Sequence, residues 1–315
     1  YSGPIGRSEW VGDVINPIGQ AELIDNSTLG YNLIGSVYGD LKFSERLNLR
    51  TSLGLQANFW NTRTWSPQYN WQPSPQEQSY LGEAYHRSTT WLVDNTLTYE
   101  RVFADVHDVK LMVGTSAQAN RFAYMNGSVE GFASERTQEL GNGIRPPKLG
   151  GNESDWGLLS FMGRINYDYD DTYLLTATLR RDGSSRFGEG NKWGLFPSVS
   201  AAWRVSNEGF FEGVTLLDDL KLRLGYGSTG NQEIGNYAFA SVLQTVQYNF
   251  GGQVVSGVVP NVMPNPTVHW ESVDQFNVGL DASAFDNRVR LTLDGYVKNT
   301  TGMLVPMSVP VTTGY

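Results

Sequence analysis

Cysteine is absent from the 315 residues, which excludes a disulfide framework, a thiolate metal site and a cysteine nucleophile. Charge is scarce too: Asp, Glu, Lys and Arg make up 17% of the chain, against about 25% in an ordinary domain. The net charge is −9 and there is no Lys/Arg-rich run, so the basic footprint of a nucleic-acid binder is missing. No run of about 18 apolar residues occurs, so the chain encodes no transmembrane helix. Catalytic patterns are missing as well. There is no G-x-S-x-G elbow, no H-E-x-x-H and no Walker loop. His86, His107 and His269 fall in or beside loops far apart in sequence. Asn166–Asp171 alternates carboxylates but lacks the glycine and closing glutamate of a calcium loop, so it reads as a hairpin turn. No catalytic residue, metal or cofactor is expected, and the chain does not read as an enzyme.

What is abundant is aromatic and glycine. Aromatics reach 12%, with 9 Trp and 16 Tyr, and 35 Gly punctuate the chain. That mixture points to β-structure with many turns, and periodicity agrees. After the turn Ser44-Glu45-Arg46, one face of the next segment reads Leu47, Leu49, Thr51, Leu53, Leu55, Ala57, Phe59 and the other Asn48, Arg50, Ser52, Gly54, Gln56, Asn58. The same two-residue alternation recurs in 31–43, 89–104, 107–124, 156–169, 172–182, 193–205, 219–229, 273–284 and 288–299. About ten long strands result, each with one apolar and one polar face, the signature of a transmembrane antiparallel β-barrel. The fold class expected is all-β.

The connections alternate in length. Ala104-Asp105-Val106, Asp170-Asp171 and Phe285-Asp286-Asn287 are tight; about 62–88, 125–155, 183–192 and 230–272 are long, and Ser206–Asp218 breaks the rule on the short side. Outer-membrane barrels segregate short periplasmic turns from long extracellular loops in this way. Tyr167, Tyr169 and Tyr173 beside Asp170-Asp171 then belong to an aromatic girdle at the periplasmic interface. The loop following Trp60 holds Trp65, Tyr69, Trp71, Tyr80 and Tyr85 among amides, hydroxyls and prolines. Trp60, Trp65, Tyr69, Trp71 and Tyr80 are candidates for substrate or partner contact, because aromatic faces beside amides grip sugar rings and peptides; the alternative is that they pack the loop onto itself.

Three stretches resemble a known family: Gly163–Phe211 (GRINYDYDDTYLLTATLRRDGSSRFGEGNKWGLFPSVSAAWRVSNEGFF), Leu220–Phe239 (LKLRLGYGSTGNQEIGNYAF) and Asn265–Pro306. They are similar to the SusC/RagA-like TonB-dependent transporters of Bacteroidota outer membranes. The resemblance implies a barrel of roughly 22 strands plugged by an N-terminal domain. It implies TonB-driven import of a large nutrient, a glycan or a peptide, with a SusD-like surface lipoprotein as lid. It implies outer-membrane lipid around the barrel and a TonB complex reached through a segment upstream. Residues 1–315 then read as a partial barrel domain, with the plug and the final strands outside the sequence. The runner-up is a barrel of the same family serving as a scaffold in a secretion or adhesion assembly. Within this family Arg181, Asp182 and Arg186, at a strand end and its loop, are expected to fix loop geometry.

The alternation places Leu49, Leu53, Leu55, Leu111, Val113 and Leu175 against lipid and Asn48, Ser52, Gln56 and Lys110 in the lumen. Leu53→Arg is expected to weaken folding by about 2–4 kcal/mol, the cost of an outward cation near the midplane, while Ser52→Arg is tolerated. Insertion yield in outer membranes measures both; equal tolerance would contradict the facing.

Overall fold

The computed structural model describes residues 17–69 and 75–305, together with 307, 310 and 312. After a short helix, Pro17–Leu23, the chain is built from strands: β1 (Asp25–Lys42), β2 (Leu47–Ser66), β3 (Tyr80–Phe103), β4 (His107–Glu130), β5 (Lys148–Tyr169), β6 (Tyr173–Ser184), β7 (Trp193–Arg204), β8 (Leu217–Asn231), β9 (Leu243–Phe250), β10 (Gln253–Pro260), β11 (Glu271–Ala284) and β12 (Val289–Thr301). Ten of them hydrogen-bond in the order β1-β2-β3-β4-β5-β6-β7-β8-β11-β12, and β9 with β10 forms a separate hairpin. The pairs β5–β6, β6–β7, β7–β8, β8–β11 and β11–β12 are antiparallel. Two compact units result, one from the described residues of 1–35, 54–91 and 120–155, the other from 36–53, 92–119 and 156–315.

Short turns close where the sequence places them, and their backbone explains why. Ala104 and Asp105 (φ 50° and 59°), Asp170 and Asp171 (49° and 51°), and Phe285, Asp286 and Asn287 (59°, 57° and 60°) all adopt the left-handed conformation. Asp and Asn tolerate that region because a short polar side chain satisfies nearby backbone groups. Asp168 Oδ1 accepts the Asp171 N–H at 2.9 Å, and Asp218 Oδ2 accepts the Asn287 N–H at 2.9 Å. The string with alternating carboxylates is therefore the end of β5 and its turn.

Strand length corrects the sequence expectation. β2, β3, β4 and β5 have 20, 24, 24 and 22 residues, about twice what crosses a bilayer. The connections expected at 62–88 and 125–155 shrink to 67–79 and 131–147, and the residues outside those bounds extend the ladders. Beyond the hydrocarbon both faces meet water, so no apolar face is required there while the backbone keeps pairing. The connection 230–272 contains the unforeseen β9–β10 hairpin, turning at Gly251-Gly252 (φ 60° and 84°).

In the second unit the two faces differ in chemistry. Leu111, Val113, Leu175, Leu195, Leu224 and Val278 are exposed on one side, the arrangement of a surface built for lipid. On the other, Arg223 grips Asp281 through two bonds of 2.8 and 3.0 Å and reaches Asp294 at 2.9 Å, with Lys221 3.7 Å from Asp281. Lys110 pairs with Glu100 at 3.0 Å, and Arg50 with Asp40 at 2.8 Å. Ion pairs collect on the face away from lipid because an outward charge in hydrocarbon is costly. Gly279 makes the Arg223 network possible: a Cβ there would lie 2.7 Å from the Arg223 guanidinium carbon.

Aromatics band the short-turn end of this unit. His107 Nδ1 lies 2.8 Å from the Tyr167 hydroxyl and its ring 4.9 Å from Tyr169. Tyr169 neighbours Tyr173 at 6.2 Å, Tyr173 stacks with Trp203 at 6.5 Å, and Trp203 meets Phe210 edge-on at 6.4 Å. Amphipathic rings favour such a water–lipid boundary. Glu208, between the two short 3₁₀ turns that follow β7, accepts from the Tyr173 hydroxyl at 2.6 Å and from the Trp203 indole N–H at 2.9 Å. These donors, the tyrosine first, hold the Glu208 carboxyl below its ordinary range.

Gly279→Leu is expected to displace Arg223 and destabilise the barrel by about 1–3 kcal/mol, read as a lower melting temperature in heat-modifiability gels; an unchanged temperature would contradict the packed network. Because the Glu208 carboxyl is depressed, its contribution is present above the ordinary carboxylate range and lost as pH falls through the lowered value. The stability gap between the parent protein and Glu208→Gln should therefore close on acidification, and a constant gap would show that the carboxylate contributes nothing.

Candidate functional site

Within the first unit, strand alternation sorts side chains by chemistry. In the parts of β1–β5 that belong to this unit the even-numbered residues share one face, and that face carries Asn32, Gln56, Asn58, Ser88, Thr90 and Asn120 with almost no charge. Its one charged pair, Lys148 with Glu130 at 2.8 Å, is mutually neutralised at the strand tips. Lys148 holds the Glu130 carboxyl below its usual range. The odd-numbered face carries the Arg63–Glu83 and Arg121–Glu153 ion pairs together with Arg87 and Asp155. Hydrogen bonds respect the division: Asn120 Nδ2 donates to Ser88 Oγ at 3.0 Å and Thr90 Oγ1 at 2.8 Å.

Across the uncharged face runs a row of rings. Trp60 of β2 stacks on His86 of β3 at 4.8 Å with planes 5° apart, and His86 stacks on Tyr124 of β4 at 5.7 Å and 22°. Phe122 flanks the row, 6.1 Å from Trp60 and 6.2 Å from His86. All four are half-buried. His86 Nδ1 is enclosed and makes no hydrogen bond among the described residues. Beside Trp60 on β1 stands Gly30, whose absent Cβ would lie 3.5 Å from the Trp60 Cβ. A concavity of 820 Å³ lies in the same unit; Tyr31, Phe59, Tyr85, Arg87, Met125 and Glu153 dominate its lining, so it belongs mainly to the charged face.

The other aromatic candidates occupy different surroundings. Trp65 ends β2 at 5% exposure and packs with Leu81 and Val129, covered by Phe132 and Leu140 of the 131–147 connection. Arg63 bonds the same connection, its Nη2 donating to the Gln138 carbonyl at 2.8 Å. Tyr69 pairs through its backbone with Gln76 across the 67–79 connection. Tyr80 begins β3, half-buried on the uncharged face. Trp65, Tyr80 and Tyr85 thus sit on strands and not in a loop, and Trp71 lies outside the described residues. Sequence reasoning singled out Trp60 but not His86, Phe122 or Tyr124, because their meeting depends on inter-strand register.

In the second unit the Arg180–Lys192 stretch is held by specific contacts. Arg180 Nε donates to both Asp182 oxygens at 2.7 and 2.8 Å, and its Nη2 to Ser160 at 3.1 Å. Arg181 points to the opposite face, its guanidinium 4.8 Å over the Trp193 ring. Arg186 bonds the Gln232 carbonyl at 3.2 Å and Glu233 at 3.0 Å while lying 5.0 Å over Trp156. Phe187, fully buried, fills a cluster with Phe196 and Trp270, and the Trp270 indole donates to the Lys192 carbonyl at 2.9 Å.

Comparison with known proteins places this architecture. The family described as "TonB dependent receptor-like, beta-barrel" matches residues 11–315. The chain belongs to the TonB-dependent receptor β-barrel family. Such barrels reside in the bacterial outer membrane, and the family is one of receptors and transporters. TonB-dependent receptor P26 of Formosa agariphila is 32% identical over 309 residues, 95% of this chain and 31% of that protein. TonB-dependent receptor SusC of Bacteroides thetaiotaomicron is 30% identical over 314 residues, 95% of this chain and 30% of that protein. Among solved structures, the RagAB peptide transporter superimposes with a TM-score of 0.86 at 26% identity, over 96% of this chain and 33% of that one. The barrel segment therefore spans about a third of the length of the relatives it matches, and its SusC/RagA-like character is established by them.

Phe187→Ala is expected to cost about 3–5 kcal/mol locally, because the cluster around it loses its central ring. Limited proteolysis of intact outer membranes should then cut within 185–192 faster than in the parent; unchanged protection would show that Phe187 does not hold this loop.

Proposed function

We propose that the full-length protein containing this barrel segment imports a large nutrient, a glycan or a peptide, across the outer membrane with energy delivered by TonB. In this reading a SusD-like lipoprotein covers the long-loop end as a lid, and the plug and remaining strands come from the rest of the protein. The supporting observation is the agreement of fold and sequence with SusC and with the RagAB peptide transporter over nearly the whole segment. The connections 67–79 and 131–147 of the first unit emerge at one end of its strands. A lid contact needs roughly 1,000 Å² of buried surface to be stable, and connections of this size supply it. No step of bond making or breaking is assigned to the chain; the barrel binds and conducts.

Deleting the gene in its host, or deleting TonB, is expected to abolish uptake of the cognate nutrient, and affinity purification of the full-length barrel is expected to recover the lipoprotein. Uptake unaffected by either deletion would refute the importer. Trp71→Ala separates two roles for that aromatic: loss of the lid marks it as interface, and loss of uptake with the lid retained marks it as a substrate contact.

A further inference from the structure

The uncharged face of the first unit is selective in a way that an ordinary barrel wall is not. Counter-charged pairs crowd the lipid-opposed face of the second unit, as Arg223 with Asp281 and Asp294 illustrates. Around Trp60 the corresponding face offers amides and hydroxyls instead, and the nearby ionic groups lie on the reverse side of the sheet. A charged ligand lodged there would leave its hydration without gaining a counter-ion, which is unfavourable. A neutral ligand with many hydroxyls finds donors and acceptors in Asn32 and Asn58, the next residues on the same face beside Gly30 and Trp60, each with an amide that serves both ways.

The ring row adds a position. His86 covers one face of the Trp60 indole in a nearly parallel stack. Toward β1 the neighbouring position is Gly30, which contributes no side chain to the other side. A flat or chair-shaped ring placed above Gly30 would continue the stack, its C–H face on the indole and its hydroxyls within reach of the flanking amides. We infer that this ledge, floored by Gly30 and walled by Trp60, is a subsite for one sugar unit of a neutral oligosaccharide. The inference rests on the import reading and narrows it: the cargo is an uncharged glycan in preference to a charged peptide.

Gly30 makes a clean probe. An added Cβ meets the Trp60 Cβ at 3.5 Å, an ordinary contact, so Gly30→Ala fits without displacement. Gly30→Leu would fill the ledge. The test uses the purified full-length protein in detergent, titrated calorimetrically with neutral hexasaccharides (gluco-, manno- and xylo-oligomers), with hexagalacturonate as an anionic counterpart and with a mixed tryptic peptide pool. Binding of a neutral oligomer is expected, weakened about tenfold or more by Trp60→Ala and by Gly30→Leu and changed less than about twofold by Arg87→Ala on the reverse face. The inference is overturned if no neutral oligomer binds, if Trp60→Ala and Gly30→Leu leave binding intact, or if hexagalacturonate or peptide binds in a Trp60-dependent manner. TonB-dependent uptake assayed in parallel keeps the two readings apart. Uptake of peptide that survives Trp60→Ala removes the sugar subsite and leaves the importer standing; absence of any TonB-dependent uptake removes the importer itself.

Discussion

Hydrocarbon offers backbone N–H and C=O groups nothing to bond with, so each must find a partner in a neighbouring strand. The other regularities of this chain follow from that ladder. Strands must be long and adjacent in sequence, and a tight turn is the shortest way from one to the next. Their side chains must alternate, because pleating sends successive residues to opposite faces and only one face meets lipid. Charge is then confined to the other face, where Arg223 and Asp281 can satisfy each other, and to the strand ends, where water returns. The low charge content and the absence of an apolar run long enough for a helix are two consequences of the same constraint.

The ladder outlasts the membrane that demands it. β2 to β5 continue well beyond the length needed to cross, and there the division of faces takes on a different meaning. Where lipid no longer dictates one side, the odd face carries solvated ion pairs while the even face keeps amides, hydroxyls and stacked rings. A sheet in water on both sides has no general reason to segregate charge so fully. The segregation connects the rigid scaffold to recognition, since a row of rings fixed by three strands presents a pre-arranged surface to whatever enters. The Phe187–Phe196–Trp270 cluster and the Trp65–Leu81–Val129 cluster serve the complementary purpose of tying connections to the strands that carry them.

The sequence makes the turns and the facing legible because both are local. Asp170-Asp171 and Phe285-Asp286-Asn287 announce themselves by composition, and Leu53 against Ser52 is a matter of parity. Strand length is poorly legible beyond the lipid, since no apolar face marks where pairing stops; for that reason 62–88 looks like loop although Trp65, Tyr80 and Tyr85 lie in strands. The row Trp60–His86–Tyr124 is not legible at all. Its members are 26 and 38 residues apart in sequence, and their meeting is set by the register of β2 on β3 and β3 on β4. The β9–β10 hairpin was hidden for another reason: its Gly251-Gly252 turn sits in a stretch whose strands pair only with each other.

The freedom from cysteine allows a direct test of the two-faced ladder. Single cysteines introduced from Val109 to Thr115 in β4, in the full-length protein reconstituted into lipid with any cysteines outside this segment replaced, can carry a nitroxide whose exposure to oxygen and to a water-soluble nickel chelate is measured residue by residue. The account predicts a strict two-residue alternation, with labels at Val109, Leu111 and Val113 accessible to oxygen and labels at Lys110 and Met112 accessible to the chelate. Uniform accessibility along the segment, or a helical three-to-four-residue period, would contradict it.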